Sequence, residues 1–484
     1  MRLGRLFAAL AVLSTALAAV VSADAGIPLR TAIYLDGPQG SDARAYQRVS
    51  AAGARFVRLT LYWYEVAPVA RPPRFRAADP ADPAYRWAAF DAKVVNARAN
   101  GLEPLVTVMA APPWAQAPPA VEPLNSHRPS AVEFRRFALA VARRYSGTFN
   151  RLPRVRYWQA WNEPNLSIYL VPQLVRKRPV SPGMYRVLLN EFAAAVKSVN
   201  RSNVVVAGGL APFRDNTPAV MAQNSDWGPL SFMRELLCLS TALKPKCTQR
   251  ARFDVWATHP YTSGGPTRSA VLPNDVSLGD LPEMRAVLDA ARRHGRILAA
   301  RPVEFWVTEF SWDSSPPDPK GVPASLHARW VAEGLYRMWR NGVSLVTWLM
   351  LRDEPLRSSY LQSGLYYRGA TPERDRPKPA LQAFRFPVVG LREGSGFRVW
   401  GRRPAGVRVR VVVEQSFRGG WKRLALLSSD RHGIFQHRFS RAPVGYVRAR
   451  LATTGEKSRP FSLRRVPDRF FNPFGQPGLL EPKP

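Results

Sequence analysis

Tyr157-Trp158-Gln159-Ala160-Trp161-Asn162-Glu163-Pro164-Asn165 is the stretch on which the fold turns. A short apolar run, Val155–Ala160, stops abruptly at an amide, a carboxylate and a proline. Such a run reads as a strand covered on both faces. Its polar exit sets chemistry at the strand's C-terminal end. The pattern recurs in Phe305-Trp306-Val307-Thr308-Glu309-Phe310-Ser311-Trp312. Outward from these two, similar runs occur at Thr31–Leu35, Phe56–Leu61, Pro104–Met109, Val204–Ala207, Val255–Thr258 and Val343–Leu349. Between them lie helical patterns over Asp91–Ala99, Val132–Tyr145, Tyr185–Val199, Glu283–His294 and Ser325–Arg340. Strands alternating with helices in this number predict an α/β fold, a (β/α)8 TIM barrel. The rival, a doubly wound open sheet, calls for a phosphate-binding glycine loop after the first strand. Leu35-Asp36-Gly37-Pro38 does not supply G-x-G-x-x-G.

The texture changes after about Pro387. Phe397–Trp400, Val407–Val413, Trp421–Leu427, Ile434–Phe439 and Tyr446–Leu451 alternate apolar and polar residues and are separated by Gly, Pro and Asp turns. This predicts a small antiparallel β-sandwich of immunoglobulin-like type. The expected organisation is a leader over 1–23, a barrel domain over 24–387, a sandwich over 388–470 and an irregular Pro- and Phe-rich tail over 471–484. Trp400 and Trp421 are candidate sugar platforms of the sandwich, although an inward core Trp is the better default in such a fold.

The leader has a positive start at Arg2 and Arg5, an apolar run from Leu6 to Val21, and small residues before Asp24. It reads as a signal peptide, with a retained membrane anchor as the alternative. Export makes the mature protein secreted, extracellular or associated with a cell wall. It also makes Cys238 and Cys247, the two cysteines of the chain, a candidate disulfide, with free thiols as the other reading. Two Cys and six scattered His give no metal-binding spacing and no cofactor is implied. The net charge of +35 fits an anionic cell-wall polymer as a partner, or an arginine bias spread over the surface. Nucleic acid is a poor partner for an exported chain without a recognisable module.

Barrel active sites lie at the C-terminal ends of the strands. Glu163 and Glu309 both stand there, each among aromatic residues. Two carboxyls facing across a cleft are what glycosidic cleavage needs: one protonated to donate to the departing oxygen, the other ionised to attack the anomeric carbon or position water. A third carboxylate, Glu65, follows the second strand in a less apolar context and is the weaker candidate. Alone, each glutamate could be the structural partner of an arginine; the shared context argues for catalysis.

Trp161-Asn162-Glu163-Pro164-Asn165 resembles the acid/base motif of the clan A retaining glycoside hydrolases, which include cellulase-like, xylosidase-like and mannanase-like families. Val307-Thr308-Glu309-Phe310 resembles the clan's nucleophile strand. The resemblance spans about residues 32–387 and does not reach the sandwich. It implies an O-glycosyl hydrolase working by double displacement, with Glu163 as general acid/base and Glu309 as nucleophile, on an extracellular, β-linked oligo- or polysaccharide. It further implies roles for Arg58 in steadying the nucleophile, Asn162 on the sugar 2-hydroxyl, His259 and Tyr261 on the sixth strand, and Trp348 under the sugar. Trp63 and Trp114 are candidates to extend that platform, or to pack the core. The loops Met109–Ala115 and Thr262–Pro266 match no single family, so the clan is named and the family is not. A transglycosylase with the same residues, and a glycan- or wall-binding protein without turnover, are the alternatives.

Overall fold

The computed structural model describes residues 26–118, 125–176, 178–213, 227–356, 361–403, 408–442, 444–466 and 468–471. The predicted leader, 1–23, and most of the predicted tail, 472–484, lie outside these. Among the described residues no helix is long and apolar enough to cross a membrane.

Eight parallel strands close into a barrel: β1 (Arg30–Tyr34), β2 (Phe56–Tyr62), β3 (Glu103–Met109), β4 (Tyr157–Ala160), β5 (Val204–Leu210), β6 (Val255–Thr258), β7 (Glu304–Phe310) and β8 (Val343–Trp348). Each pairs with its neighbours in sequence, and β1 closes against β8. A helix follows every strand. Ala88–Ala99, Ala131–Arg144, Ser181–Val199, Leu281–Arg293 and Ala324–Arg340 match the predicted ones. Ala43–Ala51, Pro229–Leu236 and Pro379–Arg385 are shorter and were not among the predicted helices.

Each strand has two buried faces, which explains its continuous apolar run. In β2 the odd face (Val57, Leu59, Leu61) joins the large core under the helices, while Phe56 joins a separate cluster inside the barrel with Leu105, Val206, Ala257, Trp306 and Leu345. The period of two therefore carries Arg58 into the barrel, one step above that apolar floor.

Past the barrel, β9 (Val388–Glu393), β10 (Gly396–Arg402) and β13 (Ile434–Phe439) form one antiparallel sheet. A second is made of β11 (Arg410–Phe417), β12 (Gly420–Ser428), β14 (Tyr446–Leu451) and β15 (Phe461–Ser462). Two of these strands were not foreseen: β9 follows the barrel without a turn signal, and β15 is only two residues long. The sandwich is docked on the barrel. Trp400 of β10 packs on Tyr336 and Trp339 of the helix Ala324–Arg340, with ring centroids 5.3 and 5.5 Å apart. Arg402 reaches across to donate to Thr31 Oγ1 at 3.1 Å. Trp400 is thus a buried joint between the two parts and has no face free for sugar. Cys238 and Cys247 form the expected disulfide.

Candidate active site

The two glutamates reach the barrel mouth through local departures from regular backbone. At the end of β4, Trp161 (φ 66°) and Glu163 (φ 42°) adopt left-handed conformations, which cost a non-glycine residue about 1–3 kcal/mol each. The indole N–H of Trp161 donates to the Tyr169 carbonyl at 2.8 Å, and the Glu163 N–H donates to the Gly209 carbonyl at 3.0 Å. These bonds hold the turn. In β7 the register against β8 slips between Val307 and Phe310, so three residues span two. Strict alternation would send Glu309 out beneath the helices with Val307. The bulge turns it into the mouth instead, beside Thr308.

A second irregularity supports the first. β5 slips against β6 between Gly208 and Leu210, and Gly209 is left-handed at φ 59°. A Cβ on Gly209 would lie 2.6 Å from the Gln159 side-chain nitrogen. Gly209→Ala should therefore displace the turn carrying Glu163 and lower kcat by about 10- to 100-fold, with a smaller change in KM. Steady-state kinetics of the variant checks this, and an unchanged kcat would mean that the turn does not position Glu163.

Arg58 lies in the barrel interior, 1% exposed, where an unpaired guanidinium would be very costly. Its donors are taken up: Nη1 to Glu309 Oε2 at 2.6 Å, Nη2 to Asn162 Oδ1 at 2.6 Å, and Nε to Thr107 Oγ1 at 3.2 Å. The Tyr34 ring lies 4.9 Å from its cationic carbon. Asn162, fixed through its oxygen, keeps its NH2 group to donate elsewhere. The Tyr261 hydroxyl donates to Glu309 Oε1 at 2.9 Å. His259, fully buried, contacts Glu163 Oε1 through Nδ1 at 2.7 Å and Thr308 Oγ1 through Nε2 at 3.1 Å.

These neighbours tune the carboxyls in opposite directions. Burial raises the Glu163 pKa, and the Glu309 charge adds to it; the His259 contact opposes this, and the net shift is upward. Burial also acts to raise Glu309. There the charges of His259 and Arg58 and the hydrogen bonds from Arg58 and Tyr261 win, and the net shift is downward. Glu163, His259 and Glu309 each bring one atom to within 4.8 Å of the others, a span a small cation can bridge. Yet both Glu309 oxygens already accept protein donors, and the guanidinium 2.6 Å away repels a second cation.

Of the candidate platform residues, Trp63 and Trp114 take the packing alternative, and Trp348 is not the exposed floor that the resemblance implies. Trp63 is fully buried and stacks on Phe137, with ring centroids 5.1 Å apart. Trp114 packs edge-on against Trp63 and Phe75 and donates its N–H to the Pro68 carbonyl at 2.9 Å. Trp348 is 1% exposed, donates to the Ser363 carbonyl at 2.8 Å, and is surrounded by Phe310, Trp312, His327 and Phe384. Trp63 and Trp348 are core residues, and Trp114 is a packing residue at the edge of that core. Trp63→Ala should accordingly destabilise the fold by about 3–5 kcal/mol. A fall in melting temperature with KM unchanged checks that assignment. Glu65, the third carboxylate, is exposed on the short helix Trp63–Val66, and its Oε1 lies 3.5 Å from the Tyr64 hydroxyl.

Other residues line the mouth without having been singled out. Asp36, just past β1, accepts from the hydroxyls of Tyr34 at 2.9 Å and Tyr62 at 2.8 Å. Tyr169, half-buried, has its pKa driven up first by the Glu163 charge and then by burial. Asp36 sits at a strand end like the two glutamates, so position alone was a usable signal. Tyr169 lies in an irregular loop and gave none.

No family model matches the chain, and no curated protein matches it in sequence. In fold it is similar to a family 39 glycoside hydrolase from the gut symbiont Bacteroides cellulosilyticus WH2, at 16% identity and a TM-score of 0.50, covering 86% of this chain and 79% of that one. It is similar also to the family 39 enzyme from Xanthomonas axonopodis pv. citri, at 14% identity and a TM-score of 0.50, covering 85% of this chain and 92% of that one. At these identities the likeness is one of architecture, and it places the chain among the (β/α)8 barrels that those enzymes share.

Proposed function

We propose that the chain is a retaining O-glycoside hydrolase, exported from the cell, that cleaves a β-linked oligo- or polysaccharide at Glu163 and Glu309. One observation carries the reading: two strand-end carboxyls each bring one oxygen to within 4.8 Å of the other's, too close to admit a water between them, and one is pushed up in pKa and the other down. Retaining enzymes hold their carboxyls about 5–5.5 Å apart, whereas inverting enzymes need about 6.5–9.5 Å to admit a water between them. In the first step Glu309 attacks the anomeric carbon. As the glycosidic C–O bond breaks, Glu163 gives its proton to the departing oxygen. In the second, water attacks the same carbon, Glu163 takes back a proton, and Glu309 leaves as carboxylate. Arg58 and Tyr261 favour the charged form of Glu309 at the start and stabilise it again at the end. His259 holds the Glu163 carboxyl in place through both steps.

A non-catalytic glycan binder has no physical need for an ionised carboxylate clamped by a buried cation. A transglycosylase uses the same residues with a sugar acceptor in place of water. The test is a screen of the purified protein from Asp24 onward against aryl β-glycosides and β-linked polysaccharides, with the anomer of the first product followed by proton NMR. Net retention with water as acceptor supports hydrolysis. An inverted product contradicts the double displacement, and a folded protein that binds glycans without turnover moves the assignment to a binder.

The pH profile follows from the two shifts. Activity requires Glu309 ionised, so kcat/KM rises as pH climbs through a pKa below the ordinary glutamate value of about 4.3. It requires Glu163 protonated, so kcat/KM falls as pH climbs through a pKa above that value. Arg58→Met removes the cation and should move the acid limb upward by about one pH unit or more. An acid limb that stays put would assign it to another group.

A further inference from the structure

The opposite end of the barrel holds a cavity of about 570 Å3 with an unusual charge. Five arginines border it, Arg30, Arg55, Arg98, Arg154 and Arg156, against one lining carboxylate, Glu103. Two of the five are compensated, since Arg98 pairs with Glu103 and Arg30 with Glu304. The other three have no carboxylate partner among the described residues. Arg154 donates to Ser202 Oγ at 2.6 Å and Asn203 Oδ1 at 3.3 Å, both neutral, and its buried Nε finds no acceptor. Arg156 donates to the Ser202 carbonyl at 3.3 Å. Arg55 is exposed at the rim. Behind it the buried Arg402 has an Nη1 without a partner. Burial, and then repulsion from Arg55, pull its pKa down to about 10.

The base of such a barrel ordinarily carries residues that stabilise the fold. Unpaired like charges around one cavity do the opposite, and neutral side chains could line it without that repulsion. The dispersed surface arginines of the chain do not raise this difficulty; this cluster does. We propose that this cavity binds oxyanion groups, phosphate or carboxylate, carried on an anionic polymer. A polymer is favoured over a single ion because three unpaired guanidiniums border one open cavity and invite several anionic groups at once. Held by this end, the protein presents Glu163 and Glu309 away from the polymer. The inference stands on the charge and shape of the base and does not depend on the chemistry at the mouth.

The test measures binding of long-chain polyphosphate, polygalacturonate and inorganic phosphate by calorimetry at low and moderate salt. The wild type is compared with a triple variant, Arg55→Gln, Arg154→Gln and Arg156→Gln. A control variant loses the same charge elsewhere, through Arg293→Gln, Arg441→Gln and Arg459→Gln. The cavity variant should bind the polymers about tenfold or more weakly, and the control should stay within about twofold of wild type. Whichever polymer binds more tightly identifies the oxyanion. Equal weakening in both variants would reduce the effect to net charge, and inorganic phosphate binding as tightly as polymer would make this a free-anion site; either overturns the proposal. Should the cavity variant fail to fold, phenylglyoxal labelling of the wild type replaces it. Polymer should protect Arg55, Arg154 and Arg156 from modification, and labelling unchanged by polymer counts against the site.

Discussion

Glu309→Gln is expected to lower kcat/KM by about 10⁴- to 10⁶-fold on every substrate, whether its leaving group is good or poor. The amide keeps the shape of the side chain and removes its ability to form a glycosyl ester. Leaving-group quality then cannot help, because no bond forms at the anomeric carbon in the first step. The same substitution leaves Arg58 in the barrel interior without its anionic partner, although the hydrogen bonds to Asn162 and Thr107 remain. Breaking a buried pair in this way costs about 3–5 kcal/mol, so a lower melting temperature should accompany the lost activity. Kinetics at a temperature where the variant is folded separates the two effects.

Glu163→Gln should behave differently. On unactivated glycosides the rate should fall by about 10²- to 10⁴-fold, since nothing protonates the departing oxygen. A dinitrophenyl glycoside needs no such proton, so its first step should proceed at nearly the wild-type rate. The second step then lacks its base, and the glycosyl enzyme accumulates. A burst of dinitrophenolate followed by slow turnover, accelerated by azide, is the signature. The alkaline limb of the pH profile should vanish with it. Equal and mild losses from the two substitutions would contradict the division of labour.

The contrast between these variants rests on features that differ in how far they could be read from sequence. Strand positions were legible because each parallel strand is buried on both faces; the run at β6 matches its strand end to end, and those at β2 and β7 needed only small changes at their ends. Glu163, Glu309, Arg58, Asn162, His259 and Tyr261 come together as strand-end and strand-interior positions of a barrel should. What the sequence could not carry was the local backbone. The bulge that turns Glu309 inward depends on a register slip between β7 and β8, and that slip has no residue signature. The choice between platform and core packing that the sequence left open for Trp63 and Trp114, and the misplacement of Trp348, have a related reason. Trp63, Trp114 and Trp348 follow or end strands near the mouth, but ring orientation is set by packing against Phe137, Phe75 and Phe384, which are distant in the chain. Composition likewise gave the total charge and not its focus at Arg55, Arg154 and Arg156.

The central claim is a covalent bond between the sugar and Glu309, and trapping that bond tests it most directly. Aryl 2-deoxy-2-fluoro-β-glycosides of xylose, glucose, galactose and mannose, incubated in turn with the wild-type protein, slow the second step more than the first and let the ester persist. The account predicts time-dependent inactivation by at least one of them, a mass increase equal to one fluoroglycosyl group, and a single labelled peptide modified at Glu309. A label on Glu65 or Glu163, or turnover that proceeds while no covalent species forms with any sugar that the enzyme cleaves, would contradict it.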